Sequence, residues 1–376
     1  MNEKGLTTIN LKQINKSKVY QYIYRKKQTS KLQIVQDLQM GLSTVSQNLT
    51  ILEESGLIER NGYFDSTGGR KAQAIQIVPD FKISIGIGIL KNMYHITAVD
   101  LYGNAIYTNT FPFPYSDTPF YYEQVSNTIL EFIHNNQYDE KILGISIATQ
   151  GITSQDNTRV TYGKIMNNTG MTVDNFSQHL PYPCHLEHDS KSAACLELWN
   201  HPELDSALIF LLNRNMGGAI ITNHQIHQGV AMHSGSIEHM CINADGPLCY
   251  CGNRGCLETY CSANALEHTS GLPIKDFFVQ LREKKSPHLA AIWEDYLKHL
   301  SFAIRNLNLV IDAPIIISGY LAPYFTNEDI KKLISFINPS SPFPLSEDSV
   351  MLGVHGQYAP AIGAALFYIK QFIQTI

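Results

Sequence analysis

Residues 235–258 read GSIEHMCINADGPLCYCGNRGCLE. One imidazole, His239, and four thiols, of which Cys249, Cys251 and Cys256 are the clustered three, fall within this single stretch of a chain that has only 7 cysteines in 376 residues. Zinc favours sulfur and imidazole in a tetrahedral set of four, and four protein ligands leave no open position for water. The expected role of Zn2+ is therefore structural: it staples a loop, residues 239–256, that has too few apolar side chains to hold itself. Gly246, Pro247, Gly252 and Gly255 let the backbone turn sharply enough to bring the sulfurs together. The bland alternative is three unrelated thiols beside a surface histidine, which so tight a cysteine spacing disfavours.

The same stretch carries a wider pattern. Gly235 and His239 are followed by Gly-x-x-Cys-x-Cys-Gly-x-x-Gly-Cys-x-Glu, here Gly246, Cys249, Cys251, Gly252, Gly255, Cys256 and Glu258. This pattern resembles the ROK family of sugar kinases and sugar-responsive repressors. The resemblance implies an α/β fold, a sugar-kinase/actin-like pair of lobes around a cleft. It also implies a zinc ion on the histidine and three cysteines, and His239 and Glu258 near a sugar.

Composition sets the frame. A chain that is 44% hydrophobic and 16% charged is an ordinary globular protein long enough for two or three domains. It has no run of about 18 apolar residues, so no transmembrane helix is expected. The N-terminal residues lack the apolar core of a signal peptide, and the odd cysteine count disfavours a disulfide scaffold. A cytoplasmic protein is expected. Charge is uneven. Residues 1–80 hold 11 Lys+Arg and 7 Asp+Glu, net +4, against 17 and 26, net −9, for residues 81–376. A mildly basic head on an acidic body suits a nucleic-acid-binding module joined to a sensor.

The pattern of the head is more telling. Residues 12–27 read as a helix. Ser30 is placed to cap a second helix, Lys31–Met40, with Leu32, Val35 and Leu38 inward. After the Gly41-Leu42 turn, Ser43 is placed to cap a third helix ending near Ser55, with Val45, Leu49 and Leu52 inward. This is helix-turn-helix spacing. Thr44, Ser46, Gln47 and Asn48 are read as its outward, DNA-facing side, since Gln and Asn can bond an adenine edge and Thr a thymine methyl. Two strands, 57–60 and 74–77, flank a loop ending STGGRK, a wing in which Arg70 and Lys71 bring charge to phosphates or a minor groove. The SGLIER and STGGRK runs also resemble the wing of ROK repressors, a segment that ROK kinases lack. The expected organisation is an α+β winged helix-turn-helix domain over 1–80 and a two-lobed sugar-binding sensor over 81–376.

What the resemblance implies for chemistry is mixed. ROK kinases hold ATP phosphates on an Asp-x-Gly-Gly-Thr hairpin. The matching run here, Gly86-Ile87-Gly88-Ile89-Leu90-Lys91, lacks the aspartate, the glycine pair and the threonine. A second phosphate turn reads Asn213-Arg214-Asn215-Met216-Gly217-Gly218, and a third glycine pair has become Ser318-Gly319. Kinase activity is therefore not expected. On the sugar side, Asp189 matches the position of the kinase's general base, with His188 in place of an asparagine. Asp189 also reads as the N-cap of a helix over 190–199. Asn167 and Asn168 lie in a loop where amides can bond sugar hydroxyls, although asparagine in a loop is more often a turn former. The family's Gly-Glu-x-Gly-His is here Gly235-Ser236-Ile237-Glu238-His239, so a glutamate has moved by two positions. Expected ligand contacts are Asn167, Asn168, His188, Asp189, Glu238, His239 and Glu258. Expected partners are operator DNA, a sugar or sugar-phosphate effector, and a second copy or three further copies of the chain. The resemblance also admits a protein effector. The rival readings are a sugar kinase with an added head and a DNA-binding protein whose cleft is dead.

Overall fold

The structure, a computed structural model, describes residues 8–65, 71–284 and 286–376. The first helix, α1 (Thr8–Lys26), is followed by α2 (Lys31–Leu38) and α3 (Leu42–Glu54), then by the antiparallel strands β1 (Ile58–Tyr63) and β2 (Gln73–Ile77). Val19, Tyr20, Ile23, Ile34, Val45, Leu49 and Leu52 form the shared core of these helices. The Ser30 hydroxyl caps α2 by accepting from the Gln33 N–H. Three details differ from the sequence reading. Ile34 is the inward anchor of α2, and Leu32 is 60% exposed. Gly41, not Ser43, occupies the cap position of α3. Asn48 turns inward and donates from Nδ2 to the Thr44 carbonyl at 2.8 Å. The helical phase that buries Val45, Leu49 and Leu52 carries Asn48 inward with them, leaving Gln47 exposed. In the hairpin loop Lys71 is exposed, and Arg70 lies outside the described residues.

Two five-stranded sheets follow, built on one plan. The first has the order β5-β4-β3-β6-β9, from β3 (Ile83–Ile89), β4 (Tyr94–Val99), β5 (Ala105–Phe111), β6 (Ile142–Thr149) and β9 (Cys184–His188). Helix α4 (Pro119–Asn135) joins β5 to β6, and the short β7 (Ile152–Thr153), β8 (Val160–Tyr162) and α5 (Asp174–Ser177) lie between β6 and β9. The second sheet has the order β12-β11-β10-β13-β14. Its strands are β10 (Ala207–Leu211), β11 (Gly217–Thr222), β12 (Gln225–Ile226), β13 (Ile315–Ser318) and β14 (Val350–Leu352). Helices α7 (Glu258–Cys261), α8 (Ala263–Ser270), α9 (Ile274–Arg282), α10 (Pro287–Asn308) and α11 (Asn327–Ile337) belong to this half. In each sheet an antiparallel meander of three strands is extended by two parallel strands. The repeat is one of fold, invisible in the residues themselves.

Two helices carry the chain between the sheets. α6 (Asp189–Asn200) leaves β9 of the first and leads to β10 of the second, and α12 (Ala359–Thr375) follows β14 of the second and packs back on β3, β4 and β6 of the first. They cross closely. A Cβ on Gly363 would lie 1.8 Å from the Ser192 carbonyl oxygen, and one on Gly86 of β3 would lie 1.8 Å from that of Ala361. The small-residue run Ala359-Pro360-Ala361-Ile362-Gly363-Ala364-Ala365 is what lets one helix sit against both neighbours. Gly363→Ala should therefore lower the unfolding free energy by roughly 1–3 kcal/mol, as overpacked sites do. Urea denaturation checks this, with the midpoint shifting at unchanged slope.

Candidate functional site: a polar cleft beside a four-ligand metal centre

The stretch quoted first folds on itself through backbone bonds. Ile242 N–H donates to the Gly255 carbonyl at 2.8 Å, Gly255 N–H to Pro247 at 2.9 Å, and Cys249 N–H to Asn253 at 2.8 Å. Gly255 has φ +67°, and a Cβ there would lie 1.5 Å from the Asn243 oxygen, so the loop closes only on glycine. The consequence is that His239, Cys249, Cys251 and Cys256 bring their ligand atoms within 4.8 Å of one another. Cys251 and Cys256 sulfurs are 3.7 Å apart, and Cys249 Sγ lies 3.8 Å from His239 Nδ1. Thiolates at about 2.3 Å from a tetrahedral centre are separated by about 3.8 Å, so the set fits a metal ion of that kind. Burial raises the thiols of Cys249 and Cys256, the latter to about 12. Burial acts on Cys251 too, but the Asn253 N–H and the neighbouring thiols bring it below the usual thiol range.

The other face of this loop borders a cleft lined by Gln150, Tyr162, Lys164, His188, Asp189 and Glu238, among others. His239 joins the two. Its Nδ1 faces the cysteines, and its Nε2 lies 3.8 Å from Glu238 Oε1. Glu238 is buried, its Oε2 has no partner among the described residues, and burial pushes its carboxyl up to about 8. Asp189 stands at the start of α6. Burial pushes it up to about 6, against the pull of the Ser190 N–H at 2.7 Å and hydroxyl at 3.1 Å. His188 is held down to about 3 by burial and by the Lys191 charge, so its ring is neutral and can accept or donate one hydrogen bond. Lys164 donates to the Cys251 carbonyl at 3.4 Å and ties the 162–165 loop to the metal loop.

Several sequence expectations change in detail. Asp189 is the first residue of α6, and His188, in extended backbone, occupies the cap position. Asn167 is exposed with φ +57° and serves the turn. Asn168 is buried behind the cleft, where its Nδ2 donates to Thr149 Oγ1 at 3.0 Å. Glu258 is buried too, but its carboxylate accepts from Asn215 Nδ2 at 2.7 Å and the Met216 N–H at 2.8 Å, so it braces the 213–216 turn. That turn is held along its length. Asn213 Oδ1 accepts from the Tyr320 N–H at 2.7 Å, and Arg214 pairs with Glu267 at 3.1 Å while lying over the Tyr320 ring. Tyr250 and Ser190 line the cleft without having been singled out. Tyr250 was findable, since it is fixed between two metal ligands.

The sequence profile of the ROK family matches residues 83–371. The chain belongs to the ROK family. Among relatives of this ROK chain, the DNA-binding transcriptional dual regulator NagC of Escherichia coli K12 is 27% identical over 82% of this chain and 81% of its own. The xylose repressor of Caldicellulosiruptor bescii is 23% identical over 88% and 89%. Among solved structures, a ROK family transcriptional regulator, a homologue of the E. coli MLC protein, superposes with TM-score 0.73 at 17% identity, over 97% of both chains. A ROK glucokinase of Streptomyces griseus, solved with glucose and AMPPNP, gives TM-score 0.66 at 18% identity, over 76% of this chain and 98% of its own. These likenesses bear out the mixed α/β two-lobed fold.

Cys251→Ser should reduce bound metal per purified chain severalfold and lower the thermal midpoint. Metal analysis by plasma mass spectrometry, beside a melting curve, checks both. Full metal content with an unshifted midpoint would remove this centre from the account.

Proposed function

We propose that this chain is a sugar-responsive transcriptional repressor of carbohydrate genes. Residues 1–80 bind operator DNA as a winged helix-turn-helix, and residues 81–376 form the sensor. The observation that carries the reading is likeness over nearly the whole chain: a transcriptional regulator covers 97% of it, whereas a ROK glucokinase covers 76%. The repressors among its relatives support the same conclusion. Thr44, Ser46 and Gln47 of α3 face bases, and Arg70 and Lys71 meet phosphates. Asn48 shapes the helix instead. Zinc occupies the four-ligand centre as a structural ion, fixing His239 and Tyr250 at the cleft wall. Two-fold assembly, as a dimer or a pair of dimers, suits a palindromic operator.

A sugar or sugar phosphate binds beside Asp189, Glu238, His188 and His239, whose carboxyl and imidazole groups take hydroxyls as donors and acceptors. It alters DNA binding only by the difference in its affinity for the two lobe arrangements. Phosphoryl transfer is not part of this reading. The 86–91 hairpin has no aspartate or glycine pair, and Asn213 and Arg214 are committed to Tyr320 and Glu267. A second reading has a specific observation behind it: Glu238 points a buried carboxyl into the cleft, which suits a pocket that binds no sugar at all.

The full chain should bind DNA from its own upstream region specifically and release it with one member of a panel of sugars and sugar phosphates. Gln47→Ala should weaken that binding about tenfold, the scale of one base contact, with sugar binding intact by calorimetry. Specific binding indifferent to every sugar would favour the sealed cleft. Absence of specific binding together with ATP turnover that depends on Asp189 would overturn the repressor reading.

A further inference from the structure

Outside the cleft and the metal centre, one pair of reactive side chains stands apart. Lys370 of α12 places Nζ 2.7 Å from Cys195 Sγ of α6. That is the length of an N–H···O bond. Sulfur is larger than oxygen, so an ordinary N–H···S contact lies several tenths of an ångström further out. Both residues are half-buried. The pair lies about one turn along α6 and two turns along α12 from the Gly363–Ser192 contact, where the helices that join the two sheets cross. Burial holds the Cys195 thiol above its ordinary range, and the Lys370 charge pulls the other way.

We infer that Cys195 and Lys370 are a redox modification site, at which an oxidant joins them through one oxygen atom as an S–O–N bridge. With hydrogen peroxide the first equivalent converts the thiol to a sulfenic acid and releases water, the opening step of cysteine oxidation. The Lys370 ammonium, already in contact, first gives its proton to water, and the neutral amine is oxidised by the second equivalent as the O–N bond forms. In total R–SH and R′–NH2 with two H2O2 give R–S–O–NH–R′ and three H2O. Sulfur and nitrogen each lose two electrons, and the two peroxides accept four. A dithiol reverses the bridge in two two-electron steps. The link does not rest on the repressor reading, but its consequence does: tying α6 to α12 fixes the crossing about which the sheets would move, and the cleft loses its influence on DNA.

The test treats the full-length zinc-loaded protein with hydrogen peroxide and maps tryptic peptides by mass spectrometry. The expected result is a linked pair containing residues 195 and 370, with the mass of both peptides plus one oxygen less two hydrogens. It disappears with dithiothreitol and is absent from Cys195→Ser and Lys370→Met. The thermal midpoint of the linked protein should rise by roughly 5 °C or more, as for a long covalent loop closure, and fall back on reduction. Cys195 recovered as sulfenic or sulfinic acid with Lys370 free, or a link that lacks the oxygen, overturns the assignment. If the bridge forms and sugar still releases DNA from the linked protein, the regulatory consequence falls. If the reduced protein shows no sugar response, the repressor reading fails while the peptide map still decides the link.

Discussion

The close crossing of α6 and α12 is the constraint on which the rest of the molecule depends. Each sheet could be built alone, but the relation between them is set where Gly363 meets the Ser192 carbonyl and Ala361 meets Gly86. Backbone touches backbone there, with no side chain between to absorb a misfit. Interiors packed to this density transmit displacement instead of damping it. The cleft inherits its shape from the same crossing, because α6 begins with Asp189 at the cleft wall and Gly217 of the facing sheet sits against Ser190. The first helices are drawn in too. Trp199, near the end of α6, donates from Nε1 to the Tyr102 carbonyl at 2.8 Å, and Tyr102 stacks on Tyr24 of α1 at 5.3 Å.

Against that frame the metal centre is a local device. Its ligands fall within 18 residues, and its loop holds few buried apolar side chains besides those of its edges. What it stabilises reaches further than itself. His239 turns one nitrogen to the sulfurs and the other toward Glu238, so a metal held by the four side chains would also set the orientation of a cleft-wall ring. Nearby, Glu258 binds the Asn215 amide and the Met216 N–H, which couples the end of the metal loop to the turn between β10 and β11.

How much of this was legible in the residues follows from sequence distance. The metal ligands, the three helices with their hairpin, and the alternation of strands and helices are written in local spacing, and all were readable. Asp189, His188, Glu238 and His239 were readable as cleft residues because each adjoins a recognisable pattern. Asn48 was misplaced because its polarity was weighed above the helical phase set by Val45, Leu49 and Leu52. Asn168 was read as a ligand contact from its amide chemistry and Glu258 from the family resemblance, and only the fold supplies Thr149, Asn215 and Met216 as partners. Trp199 and Lys370 gave no signal, since each owes its role to a residue about a hundred or more positions away. A glycine in a helix is a weak sign of anything until the carbonyl it must admit is known.

The twelve residues of α6 make a rod about 18 Å long, with Asp189 at one end and, at the other, Trp199. Such a rod is a lever. A tilt of about 10° about its Asp189 end carries the far end by about 3 Å. Trp199 delivers that travel through Tyr102 to Tyr24, on the helix that carries the rest of the head. A displacement at the cleft end of the size of one hydrogen bond would thus be geared up mechanically before it reached the first three helices.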